Sequence, residues 1–252
     1  ECKKEDESVY QNLIKHGYKV CNSCYTSKTI FLKQAMWLTE NLERNVYGIH
    51  VWNHWFNWEY KEVLKAPWYS ALSQGQGISL LLRAWIETGS QVFKESADKA
   101  FESFMVPISE GGVTHHGKDE ELWFEEYIID PPTHILNGFI WALWGIYDYK
   151  LVTEDSNANL LLSKALTTLK NYLKYYDTGY WSLYDVSKTG GLKMLASPFY
   201  HKLHIVQLRV IERLTNEVIF GEYARKWERY SRNPMNKLRA LTLKILFKAF
   251  YY

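Results

Sequence analysis

Four segments of the sequence gather residues able to move protons or hold a sugar. Trp123-Phe124-Glu125-Glu126-Tyr127 sets two carboxyls and a phenol among aromatic residues, just ahead of Pro131-Pro132 and a strongly apolar stretch. A carboxyl withdrawn from water keeps its proton to higher pH and can act as acid or base near neutrality. Asp177-Thr178-Gly179-Tyr180-Trp181-Ser182-Leu183-Tyr184-Asp185 and Phe199-Tyr200-His201-Lys202-Leu203-His204 each place a tyrosine beside an ionisable neighbour. A phenol ionises near pH ~10. As phenolate it is a strong base, and as phenol it is a proton donor. That pairing suits taking a proton from carbon and returning one from the opposite face. In Ser73-Gln74-Gly75-Gln76-Gly77-Ile78-Ser79, two glycines frame a glutamine at the expected mouth of a helix. Gln74 and Gln76 can fork across sugar hydroxyls, and a helix start attracts anions. A plain glycine-rich turn gives the same pattern.

Other chemistries are less well served. His201 and His204 would share a helix face and, with Glu126, imitate a metal triad. Their spacing fits no common zinc pattern, so no metal is expected. The glycine segment lacks the Lys-Ser/Thr of a phosphate loop. No Gly-x-Ser-x-Gly elbow is present, and no Gly-x-Gly-x-x-Gly joins a strand to a helix. Cys21 and Cys24 form a lone C-x-x-C with only Cys2 besides, too few thiols for a four-thiolate zinc. They read as inert. Glu125, Glu126 and Asp185 together keep a two-carboxylate glycoside hydrolase open. His115 and His116 fall in an expected polar loop over 115–121.

The elements that must position these groups are mainly helices. Helical periodicity marks 30–42 and, from residue 70 on, 78–88 (ending near Gly89), 93–105, 135–147, 159–175, 201–214, 220–230 and 235–250. Val9, Leu13 and Ile14 hint at a further short helix. The stretch 135–147 is apolar nearly all round and must be buried. Its Gly138, Ala142 and Gly145 form a small-residue stripe that admits a close neighbour. Residues 46–60, dense in Trp, Tyr, His and branched side chains, predict a β hairpin or extended ribbon, and 181–186 a short extended piece. The fold class is therefore mostly α. Helix pairs joined by loops would close into a complete or partial α/α barrel, a toroid. A bundle or solenoid shares this local pattern.

Three regions follow: 1–66, a helical segment with the aromatic ribbon; 67–230, the α/α barrel carrying the chemistry; and 231–252, a basic amphipathic helix. In that helix Lys237, Lys244 and Lys248 lie near one stripe and Leu238, Ile245 and Phe250 contribute to another. The pattern permits contact with a membrane surface or a partner, as well as docking on its own domain.

Composition narrows the partners. Aromatic residues make up 16% of the chain, with 11 Trp and 19 Tyr. Beyond core packing, such rings line carbohydrate sites. The 30 basic residues scarcely exceed the 28 acidic ones, so no nucleic-acid partner is expected. A few local cations suffice to grip an acidic glycan. No apolar run reaches the roughly 18 residues of a membrane span.

As a set, these motifs resemble the D-glucuronyl C5-epimerases of heparan sulfate and heparosan-type biosynthesis. The resemblance rests on 70–79, Phe124-Glu125-Glu126-Tyr127, Pro132, Leu136-Asn137-Gly138-Phe139, Gly145-Ile146-Tyr147-Asp148, Tyr176-Asp177-Thr178-Gly179, Tyr184-Asp185 and Tyr200-His201-Lys202-Leu203-His204-Ile205, in the family's order. It is good over 67–230 and poor before it. It implies an α/α barrel, a uronate-containing glycan as substrate, no cofactor, and Glu126, Tyr127, Tyr184 and Tyr200 as the catalytic groups. Gln74, Gln76, Arg83, Asn137, His201, Lys202 and His204 are the residues expected to hold substrate. Animal members carry an arginine two residues after the Tyr-Asp pair, where this chain has Ser187; Arg83 or Lys202 is offered in its place. A homodimer is also implied. The setting would be cytoplasmic or peripheral to a membrane in a prokaryote, and the secretory lumen in a eukaryote. A uronate lyase and a non-catalytic glycan-binding module remain as rival readings.

Overall fold

The computed structural model describes residues 27–60, 63–187 and 193–251. The three cysteines and the short helix expected around residues 9–14 lie outside them.

The chain enters through α1 (Ser27–Glu40) and then makes two short antiparallel pairs. The first joins β1 (Glu43–Arg44) to β2 (His50–Val51), and the second joins β3 (Trp58–Glu59) to β4 (Val63–Leu64). The ribbon expected over 46–60 is thus two small hairpins in place of one. Residues 46–48 form the first turn. There Asn45 Oδ1 accepts the amides of Tyr47 (3.0 Å) and Ile49 (3.1 Å), and Gly48 takes φ +85°.

Helices dominate from here: α2 (Ala71–Thr88), α3 (Gln91–Met105), α4 (Leu136–Thr153), α5 (Ser156–Tyr176), α6 (Pro198–Thr215), α7 (Val218–Arg232) and α8 (Pro234–Tyr251). Between α3 and α4 a hairpin pairs β5 (Thr114–His116) with β6 (Leu122–Phe124). The loop expected at 115–121 is therefore largely this hairpin. Gly117 N donates to Glu121 O at 2.8 Å to close its tip, and Leu122, Trp123 and Phe124 are all buried.

α2 packs against α3 and α4, α4 against α5 and α6, and α6 against α7. This is a toroid-like α/α arrangement around one main apolar core. α1 and Trp52 belong to that same core.

The glycine segment of 73–79 is not a turn. α2 starts at Ser70, whose Oγ accepts the Ser73 amide, and runs through both glycines to a left-handed Gly89. Close packing explains them better than turn geometry. A Cβ on Gly75 would lie 2.6 Å from Ala142 Cα, and one on Gly77 would lie 2.3 Å from the Trp52 ring. Across the same contact, a Cβ on Gly145 would meet Gly75 Cα and O at 2.3 Å. The α2–α4 crossing is thus backbone against backbone, which accounts for Ala142 and Gly145 in the small-residue stripe. Gly138 has a different task, at the site.

Candidate active site

The Glu-Glu-Tyr loop follows directly from β6. It is pinned to α2 because Ala71 N donates to the Glu125 carbonyl at 2.9 Å. The Glu125 side chain is wholly enclosed. Its Oε1 lies 2.5 Å from His134 Nδ1, and its Oε2 accepts the His134 amide at 3.0 Å. His134 in turn stacks on Trp123, with 4.3 Å between ring centroids. Both oxygens of Glu125 therefore fold the loop back on itself.

Glu126 turns the other way, onto α4. A Cβ on residue 138 would stand 2.2 Å from Glu126 Oε2, so glycine there makes room for the carboxyl. Asn137 Nδ2 donates to that oxygen at 3.3 Å. Only 8% of Glu126 is exposed. Burial lifts its pKa to about 7; Glu125 adds to the rise, while hydrogen bonds from Tyr127 and Asn137 oppose it. A carboxyl with that pKa exchanges its proton near neutrality.

The tyrosines form a small cluster apart from the main core, built on Tyr60, Tyr127 and Tyr184 with Trp68 and Tyr200 packed against it. Ring centroids lie 4.8 Å apart for Tyr60–Tyr127 and 4.9 Å for Tyr184–Tyr200. The Tyr127 hydroxyl also neighbours Tyr184 and Trp58. Burial, reinforced by the nearby Glu126 carboxyl, holds both Tyr127 and Tyr184 above the ordinary phenol range. They are neutral donors at physiological pH and not phenolates.

Backbone geometry fixes each ring. Leu136 N donates to Tyr184 O (3.1 Å) and Tyr184 N to Met194 O (2.8 Å), so the strap carrying Tyr184 crosses the start of α4. Tyr200 sits in the first turn of α6, its amide donating to the N-cap Ser197 Oγ at 3.3 Å. Three helices, α2, α4 and α6, thus begin around the cluster. Helix starts favour negative charge.

Glu126, Tyr127, Tyr184, Tyr200 and Asn137 are brought together. Gln74, Gln76, Arg83, His201 and His204, also expected at the substrate, are not. Gln74 is wholly buried; its Nε2 donates to His50 O, Ala100 O and Ser103 Oγ, and its Oε1 accepts from Trp52 N. It ties the first hairpin to α2 and α3. Arg83 stands 12 residues beyond the start of α2, roughly 18 Å along the axis. There it pairs with Asp148 at 2.6 Å. Gln76 and Arg83 line a separate groove of about 570 Å³ with Phe31, Trp141 and Trp144.

His201 and His204 face the interior. Ser182 N donates to His201 Nδ1 (3.2 Å), and Ser182 Oγ lies 2.7 Å from that nitrogen and 3.0 Å from His204 Nδ1. His201 Nε2 therefore carries the proton and donates to Trp227 O at 3.0 Å. Burial lowers the pKa of His201 to about 4 and that of His204 to about 3. Both are neutral fastenings between the strap, α6 and α7. Lys202, between them in the chain, is exposed. Ser187, at the position of the animal arginine, donates its amide and hydroxyl to Asp185 Oδ1 (3.2 and 3.0 Å).

Three participants escape a reading of the sequence. Tyr60 donates to Asp185 Oδ2, Trp58 reaches Tyr127, and Trp68 packs edge-on to Tyr127 at 5.8 Å. All come from 58–68, where the only signal is the density of aromatic residues.

Residues 45–229 match the family described as D-glucuronyl C5-epimerase C-terminus. Over 187 residues the chain is 32% identical to the D-glucuronyl C5-epimerase of Caenorhabditis elegans, covering 69% of this chain and 30% of that protein. It is 30% identical over 212 residues to an uncharacterized protein of Methanocaldococcus jannaschii, covering 78% of this chain and 67% of that one. The chain thus spans less than a third of the nematode enzyme's length. A solved structure, the cellobiose 2-epimerase from Spirochaeta thermophila DSM 6192, is similar at a TM-score of 0.46 and 13% identity, over 81% of this chain and 54% of that one. The packed helix pairs make this an α/α protein. It belongs to the D-glucuronyl C5-epimerase family, through that family's C-terminal domain.

Proposed function

We propose that the chain inverts C5 of a hexuronic acid residue within a glycan, of the D-glucuronate to L-iduronate type. The observation that carries this reading is the buried Glu126, its pKa near 7, set among tyrosines held neutral. The C5 proton of a uronate lies beside a carboxylate and is very weakly acidic. In the proposed step Glu126 takes that proton as a carboxylate. The bonding pair moves into the substrate's carboxyl group as an enediolate. Tyr200 delivers a proton to the opposite face of C5. Neutral phenols at Tyr127 and Tyr184 suit hydrogen bonding to the charge that develops. The starts of α2, α4 and α6 favour the same sign of charge. The proton leaves beside an existing carboxylate, so this sequence of steps calls for no redox cofactor.

A hydrolase would need a second carboxyl with a free oxygen. Glu125 is taken up by His134, and Asp185 by Tyr60 and Ser187, which favours proton transfer at carbon over glycosidic cleavage. The reading is tested by incubating the protein with heparosan and related uronate glycans and following the products by proton NMR and ultraviolet absorbance. New iduronate signals are expected. An unsaturated, ultraviolet-absorbing product would make the protein a lyase, and new reducing ends a hydrolase. Saturable binding without any turnover would leave a binding module.

A further inference from the structure

α8 (Pro234–Tyr251) lies beyond the residues that match the family, 45–229, and it is apolar on two opposite sides. One side docks on the domain, with Ala240 and Phe247 each only 5% exposed. Lys244 Nζ donates to Leu195 O at 2.7 Å, and the Arg239 guanidinium sits 3.9 Å above the Tyr180 ring. The helix is therefore fastened to the body. On the other side Met235, Leu238, Leu241 and Ile245 recur at three- and four-residue steps, so they share one face. They are 71%, 59%, 55% and 59% exposed. A stripe of four large apolar side chains held in water is the kind of surface that marks an interaction site.

Charge identifies what fits it. Residues 234–252 contain Lys237, Arg239, Lys244 and Lys248 and no Asp or Glu. At 100° per residue, Lys237 falls on one margin of the exposed stripe, while Arg239 on the other margin is turned onto the Tyr180 ring. Basic side chains flanking an apolar face can keep their charge at the level of lipid phosphates while the stripe enters the headgroup boundary. Pairing with a second copy of the same helix would instead set like charges against each other.

We propose that the outer face of α8 docks the protein on an anionic lipid surface, independently of the chemistry at Glu126. The test is flotation of the full chain with vesicles of mixed phosphatidylglycerol and phosphatidylcholine, beside vesicles of phosphatidylcholine alone. Binding is expected to the anionic vesicles only and to be lost in high salt. Leu241→Glu/Ile245→Glu should weaken it by about tenfold or more, as should the single exposed change Lys237→Glu. Thermal melts should show both proteins folded. Failure to float with anionic vesicles would overturn the proposal, as would binding that survives both variants. A concentration-dependent dimer dissolved by Leu241→Glu/Ile245→Glu, with no lipid binding, would assign the face to a second copy.

Discussion

Replacing Glu126 by Gln should stabilise the fold in alkaline solution and leave it nearly unchanged in acid. The folded protein raises this carboxyl from 4.5 to about 7, chiefly by burial. An acid whose pKa is raised by folding binds its proton more tightly in the folded state. Its contribution to stability is fully present below the unfolded value and is lost as pH rises through the folded value. The shift corresponds to about 3 kcal/mol, lost progressively between about pH 4.5 and 7. Glutamine cannot ionise and keeps an oxygen for Asn137 Nδ2, so the variant escapes that loss. Urea unfolding of both proteins at a series of pH values between about 4.5 and 8 measures it. The stability difference should widen by about 3 kcal/mol across this window in favour of Glu126→Gln, then stay level. Parallel curves for the two proteins would refute the claim that Glu126 is held protonated toward neutrality.

The same carboxyl predicts that kcat/KM on a glucuronate glycan rises with pH through about 7, because the base must first lose its proton; a profile flat from about pH 5 to 8 would remove Glu126 from that role. Gly145→Ala drives a methyl group into the Gly75 backbone and should destabilise by about 1–3 kcal/mol or more in urea titrations. Ser182→Ala strips a buried hydroxyl from both His201 and His204. It should cost about 1–3 kcal/mol of stability, with activity retained at temperatures where the variant stays folded.

Much of this architecture is legible in the sequence, and the gaps have physical causes. Every helix expected from residue 30 on is present, because 3.6-residue periodicity survives in amphipathic segments such as 91–105 and 156–176. The grouping of Glu126 with Tyr127, Tyr184 and Tyr200 is legible in part because tyrosine and glutamate between aromatic residues leave a local trace. The glycines of 73–79 misled, since glycine in a tightly packed helix and glycine in a turn look alike until the neighbour is known. Here the neighbours are Ala142 and Trp52. His201 and His204 misled for a similar reason. Their partners, Ser182 and Trp227, lie 19 to 26 residues away and belong to other elements. Tyr60 was invisible because its partner Asp185 is 125 residues distant. Long-range pairing of polar groups carries no local pattern.

The most direct test of the central claim is solvent exchange at one carbon. Heparosan is incubated in heavy water with the protein, with Glu126→Gln and with Tyr200→Phe, and deuterium at C5 is read by NMR. The account predicts deuterium and iduronate with the unaltered protein. It predicts neither with Glu126→Gln, and no iduronate with Tyr200→Phe. Deuterium incorporation that persists at full rate in Glu126→Gln would contradict it.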